Sequence, residues 1–128
     1  MRRKTISSML GGVVIGILGT TALTSYVSAR TAEKNSSRII LENDLVRVKE
    51  AIFMPGDKHP GMHAHEYAHV GVPLDDGKLT FHYPDGKSET MEVKSGKAGF
   101  REANVTHEAI NMGDKPLRVI EVEIKRPG

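Results

Sequence analysis

The sequence of 128 residues contains no cysteine. Disulfides, thiolate metal sites and cysteine nucleophiles are therefore excluded. Internal repeats, a collagen-like period and coiled-coil composition are also missing. The first 29 residues hold no acid, only Arg2, Arg3 and Lys4 as charged side chains. The formal net charge of +2 is therefore uneven, because these three residues supply +3. Residues 30–128 carry 15 basic and 16 acidic side chains, a net of −1. That balance lacks the electrostatic footprint of a nucleic-acid-binding protein. The length fits one ordinary domain and not two.

Residues 5–29 carry no charge at all. A basic start followed by the apolar stretch 9–23 has the form of an export signal. Val27 and Ala29 place modest side chains at the −3 and −1 positions, which predicts cleavage between Ala29 and Arg30. The alternative is a retained membrane anchor: the stretch is long enough to span, but Gly and Thr interrupt it. Arg2-Arg3 and the Gly-rich apolar segment match part of a twin-arginine signal, with an ordinary leader as the competing reading. Either route predicts a periplasmic or secreted domain with no membrane contact unless the leader is kept. Residues 30–37 read as a polar linker, and residues 38–128 as the folded domain.

No segment after the leader has a convincing helical period. Short β-like runs recur instead, at 38–42, 45–53, 63–74, 78–83, 88–94, around Phe100, 105–111 and 116–125. Pro84-Asp85-Gly86 is the strongest hairpin signal. About eight strands at regular spacing predict an all-β sandwich or closed barrel. In the last run Arg118, Ile120, Val122 and Ile124 share one face, and Glu121, Glu123 and Lys125 the other. Leu79 and Phe81 likewise share a face.

Four of the 6 histidines fall within residues 59–69: His59, His63, His65 and His69. If 63–69 is one extended strand, His63, His65, Tyr67 and His69 face the same way. Imidazoles two apart converge on one metal when the strand is twisted, and neutral imidazole suits Zn, Cu, Ni, Fe and Mn. A further ligand must come from elsewhere, and His107 lies in the second-last strand. His59, in a Pro/Gly loop, and His82 read as solvated.

Two spaced motifs carry a family resemblance. Pro55-Gly56 is followed by His63-x-His65 and Gly71, and about 40 residues on, Gly96, Gly99 and Phe100-Arg101 precede His107 and Asn111. Over residues 40–125 the chain resembles the cupin superfamily. The resemblance implies a double-stranded β-helix barrel of jelly-roll type. It further implies one divalent metal ion, with His63, His65 and His107 as ligands. The usual Glu ligand is replaced by His69. Either His69 is a fourth imidazole, or three histidines leave positions open. Glu66 points to the other face of a regular strand and substitutes only through a bulge. The remaining candidates are weaker. Tyr67 is a phenol at the barrel mouth or a packing residue. Arg101 and Arg47 are partners for an anionic substrate or surface charges. Asn111 supports the His107 strand or ends it in a turn. Met54, Met62 and Met112 hint at copper, yet Met is mostly core filler.

These features predict an exported metal-binding cupin acting on a small anionic organic molecule, as an oxygenase- or isomerase-type enzyme whose catalytic residues are not identified. The alternative is a non-catalytic protein that holds a metal or small ligand in the periplasm. The family resemblance also implies a homodimer.

Overall fold

The computed structural model describes residues 33–126. The expected leader and its cleavage point lie outside them. Nine strands follow one another: β1 (Ser36–Glu42), β2 (Val46–Phe53), β3 (His63–Ala64), β4 (His69–Pro73), β5 (Gly77–His82), β6 (Ser88–Val93), β7 (Gly99–Arg101), β8 (Thr106–Asn111) and β9 (Leu117–Ile124). They form a five-stranded sheet, β1-β2-β9-β4-β7, and a four-stranded sheet, β3-β8-β5-β6. Every strand pairing is antiparallel. Among the described residues there is no helix, hence none long and apolar enough to cross a membrane. The all-β expectation therefore holds.

Turn chemistry explains several boundaries. The β5–β6 hairpin closes at 84–86, where Tyr83 N donates to Lys87 O at 2.9 Å and Gly86 N to Tyr83 O at 3.0 Å. Gly86 takes φ +84°, a conformation that costs glycine little. β1 starts at Ser36, two residues inside the stretch expected to be linker. Asn35 anchors it: its backbone N donates to Asp57 Oδ2 at 2.7 Å, and its side-chain oxygen accepts from Met54 N at 2.7 Å.

The apolar core lies between the sheets. Leu79, Phe81, Val93 and Ala109 come from the four-stranded sheet, Leu117 and Val119 from β9, with Phe53 and Tyr83 packed against them. Leu117 is 1% exposed, and burying it contributes roughly 1.5–3 kcal/mol. Gly77 leaves room for it, since a Cβ there would meet Leu117 Cδ1 at 3.2 Å.

One expectation needs correction, and one left open is decided. Residues 63–69 are not one strand. The chain bends at 65–68, so β3 pairs with β8 in one sheet while β4 pairs with β9 in the other. On β9 the two predicted faces exist, but the apolar one is not the buried one. Leu117, Val119, Glu121 and Glu123 point inward, and Ile120, Val122 and Ile124 lie on the half-exposed outer side. The reason is period two: Leu117 and Val119 are held in the core, so 121 and 123 must share their face.

Candidate metal centre and ligand cavity

The inner face of the five-stranded sheet changes character along its strands. Register places Phe53 beside Leu117 and Ala51 beside Val119, then Lys49 beside Glu121 and Arg47 beside Glu123. On the far side of β9, His69 pairs with Glu123, and Arg101 of β7 pairs with His69. An apolar half thus runs into a charged half, and the histidines stand at the junction.

Four histidines meet there. Across the β3–β8 pair His63 faces His107, with ring centres 5.0 Å apart. His65, in the bend, lies 5.1 Å from His63, 5.5 Å from His107 and 4.4 Å from His69. The ligating atoms of His63, His65 and His107 all lie within 4.8 Å of one another. A second trio meets the same criterion: His65, His69 and Glu121. All four predicted imidazoles therefore converge, although 63–69 is bent. The bend places His69 on the opposite sheet, facing back across the cavity.

Glu121 is the residue that sequence reasoning missed. It is 9% exposed and brings a carboxylate beside His65 and His69, close enough to hold an ion with them. The only signal was its period-two relation to Leu117 and Val119, and the apolar residues on the opposite face pointed the other way.

The ring nitrogens are consistent with a cation. His63 Nδ1 lies 2.8 Å from the Gly61 carbonyl. A carbonyl only accepts, so Nδ1 carries the proton and Nε2 keeps its lone pair. His65 Nδ1 faces Glu123 Oε1 at 3.5 Å. His69 Nδ1 and His107 Nδ1 are buried with no hydrogen-bond partner. Orphaning such an atom costs about 1–3 kcal/mol, which a bound ion or water offsets. Burial pushes the His107 imidazole down to about 3, helped by the nearby Arg101 charge and the other histidines. Burial also lowers His65 and His69, opposed in both by the Glu121 carboxylate. At neutral pH these rings are uncharged, the form that binds metals.

Behind the histidines is a buried ionic cluster. Lys49 Nζ lies 2.6 Å from Glu123 Oε1 and 3.5 Å from Glu121 Oε2, and Arg47 Nη1 lies 3.4 Å from Glu123 Oε2. Burial works against the Glu123 charge, but Lys49, His65 and Arg47 outweigh it and hold the carboxyl below its usual range.

In front of them is a cavity of about 280 Å³. Its walls are apolar, including Phe53, Leu79, Phe81, Val93 and Val119, and its floor holds the four histidines and Glu121. Arg101 lines it too, with Lys94 and Lys97.

The weaker candidates separate. Tyr67 is absent from the cavity lining, and its ring lies under the Arg47 guanidinium at 5.6 Å. Arg47 is engaged by Glu42 and Glu123. Asn111 is 1% exposed, and its side-chain hydrogen bonds go to backbone groups and to no histidine. Its amide donates to Phe53 O at 2.9 Å and Lys115 O at 2.7 Å, and its oxygen accepts from Gly113 N at 2.8 Å. It clamps the end of β8. Met54, Met62 and Met112 line no part of the cavity, and Glu66 and His59 are exposed. His82 is half-buried outside the cluster.

A two-sheet β-structure with paired histidine motifs around a half-open cavity defines a small-barrel protein with a candidate metal site. The cupin-domain family matches residues 49–123, and the chain belongs to it. The β-alanine degradation protein BauB of Pseudomonas aeruginosa is 39% identical over 85 residues, covering 66% of this chain and 87% of that protein. A cupin domain from Bordetella pertussis superposes with a TM-score of 0.67 at 32% identity, covering 73% of this chain and 95% of that one. A double-stranded β-helix protein from Klebsiella pneumoniae has a TM-score of 0.59 at 18% identity, covering 72% and 77%, and shows the shared fold. The double-stranded β-helix expected from the sequence is thereby established.

Proposed function

We propose that this cupin is a metal-dependent enzyme acting on a small organic anion, exported by the leader in residues 1–29. One observation carries the reading: four imidazoles and the Glu121 carboxylate converge at the floor of a mostly apolar cavity. His63, His65 and His107 would hold the divalent ion, with His69 and Glu121 completing its shell from the opposite sheet. Bound there, such an ion supplies Lewis acidity to an oxygen of the ligand. The apolar walls orient the ligand's hydrocarbon part and exclude water. Glu121 offsets one positive charge, which the expected all-histidine shell would have left in full. The relative named for β-alanine degradation supports a short organic acid, since β-alanine carries a carboxylate on a three-carbon chain.

Elemental analysis of the mature domain, purified without added metal, tests the site. About one Fe, Mn, Ni, Zn or Cu per chain is expected, falling below about a tenth in His107→Ala and His63→Ala. Full occupancy in both variants would refute the ligand set. Full occupancy with no turnover of short organic acids would favour a non-catalytic metal- or ligand-binding protein.

A further inference from the structure

Arg101 is an unusual arginine in this chain. Arg38, Arg47 and Arg118 each pair with a carboxylate. Arg101 is half-buried, lines the cavity, and has no carboxylate within ion-pair distance among the described residues. Its guanidinium carbon lies 4.2 Å from the centre of the Phe81 ring. One N–H, on Nη1, donates to the Tyr83 hydroxyl at 3.0 Å, and that hydroxyl donates to Glu89 Oε2 at 2.9 Å. The guanidinium is therefore fixed in plane and direction by neutral contacts. Most of its five donors are left without a protein acceptor.

The charge balance at this place is incomplete. Among the described residues that line the floor, Glu121 brings the one carboxylate. A divalent ion with Arg101 beside it would leave the cavity strongly positive. Lys94 and Lys97 add to that at the rim, where Lys94 meets only the exposed Asp76 at 3.9 Å; Glu92 also lines the rim and offsets one of these charges, but its carboxylate is shared with Lys78 at 3.4 Å. Leaving a half-buried cation unpaired is costly, and a bidentate carboxylate is the natural complement of the guanidinium fork.

We propose that Arg101 binds the carboxylate of a short organic monoacid whose other end, an oxygen or nitrogen donor, reaches the histidine floor. This deepens the proposed function and rests on the reading of the cavity as a ligand site. The geometry sets an upper bound on the length. The guanidinium lies 4.2 Å from the Phe81 ring centre and that ring 5.5 Å from the His107 ring, so the two ends are no farther apart than those two legs laid end to end. At about 1.5 Å per bond, only a short chain of a few carbons fits between carboxylate and donor. The volume agrees, since about 280 Å³ holds roughly nine waters. Phe81 then does two things. Its face supports the guanidinium, and its edge and neighbours Leu79 and Val93 line the path of the carbon chain. Arg101 selects by charge at one end of the cavity, while the floor selects by donor chemistry at the other.

The test uses 3-hydroxypropanoate and its neutral analogue 3-hydroxypropanamide as probes, with affinities from isothermal titration on the protein as purified and after chelation. The wild type is expected to bind the acid and to reject the amide by about 10- to 100-fold. Arg101→Gln is expected to lose that preference with metal content unchanged, and Arg101→Lys to fall between, because it keeps the charge and loses the fork. Melting temperatures within a few degrees of wild type show that the variants are folded. Lys94→Gln and Lys97→Gln, at the rim, are expected to keep the preference. If they abolish it and Arg101→Gln does not, the proposal is overturned. It is also overturned if the wild type does not distinguish acid from amide. If the acid is lost on chelation yet indifferent to Arg101, the metal site stands and this proposal falls. If no metal is found but Arg101-dependent acid binding persists, the metal reading falls and this proposal stands.

Discussion

Replacing Glu123 by Gln removes one charge and almost no volume from the cluster behind His65. Glu123 is 3% exposed and touches Lys49 at 2.6 Å, Arg47 at 3.4 Å and His65 at 3.5 Å. Breaking a buried pair from one side generally costs about 3–5 kcal/mol, because the remaining charge is left without its partner. Here Lys49 keeps Glu121 at 3.5 Å and Arg47 keeps Glu42 at 3.1 Å. The cost should therefore fall near the lower bound, about 3 kcal/mol. For a domain of this size that lowers the melting temperature by roughly 12–24 °C. A second effect follows from where Lys49 turns. Deprived of Glu123, its ammonium is drawn to Glu121 and competes with any cation on the histidine floor, while the His65 ring loses the carboxylate that orients Nδ1. Metal affinity should drop by about 10- to 100-fold. Urea unfolding of the metal-free protein reads the first number, and competition against a chromophoric chelator reads the second. Lys49→Met with Glu123→Leu separates the two routes to the affinity loss: with the competing ammonium gone the affinity should recover in part, and what stays lost belongs to the missing Glu123–His65 contact. A Glu123→Gln protein within about 0.5 kcal/mol of wild type and with unchanged metal affinity would refute the account.

Two further outcomes are expected. Asn111→Leu leaves the Phe53 and Lys115 carbonyls and the Gly113 N–H without their partner. It should destabilise the metal-free protein by about 3 kcal/mol in urea unfolding, while metal affinity per folded molecule stays unchanged; a selective loss of metal affinity would return Asn111 to the site. The homodimer is proposed on β1, the outer strand of its sheet, all of whose residues are exposed, with Ile39 at 54%, Ile40 at 46% and Leu41 at 51%. Antiparallel pairing of two copies about Ile40 would set Arg38 against Glu42 of the partner subunit, a complementary match. Light scattering should give twice the chain mass, reduced to a monomer by Ile40→Lys; a wild-type monomer at micromolar concentration would refute it.

What could be seen in the sequence was whatever depends on local chemistry. Pro84-Asp85-Gly86 defines its hairpin because glycine reaches a positive φ without strain. His63, His65 and His107 were legible because two motifs in order carry a family pattern. The linker boundary was less so, because Asn35 is held by Asp57 and Met54 across 22 and 19 residues. Period-two alternation divided β9 into two faces, but it could not say which was inside. That was decided by Leu117 and Val119 packing against Leu79 and Phe81 of the other sheet. Once they were inside, Glu121 and Glu123 followed, and Lys49 and Arg47 came inward to meet them. The bend at 65–68 was equally a tertiary matter. It carries the chain from one sheet to the other, so that His69 closes the site from across the cavity. The amino-acid order determined the strands, their turns and most of the clustered imidazoles. Only the packing of one sheet on the other decided that a carboxylate stands beside them, because a side chain's face is set by the core it shares and not by its own polarity.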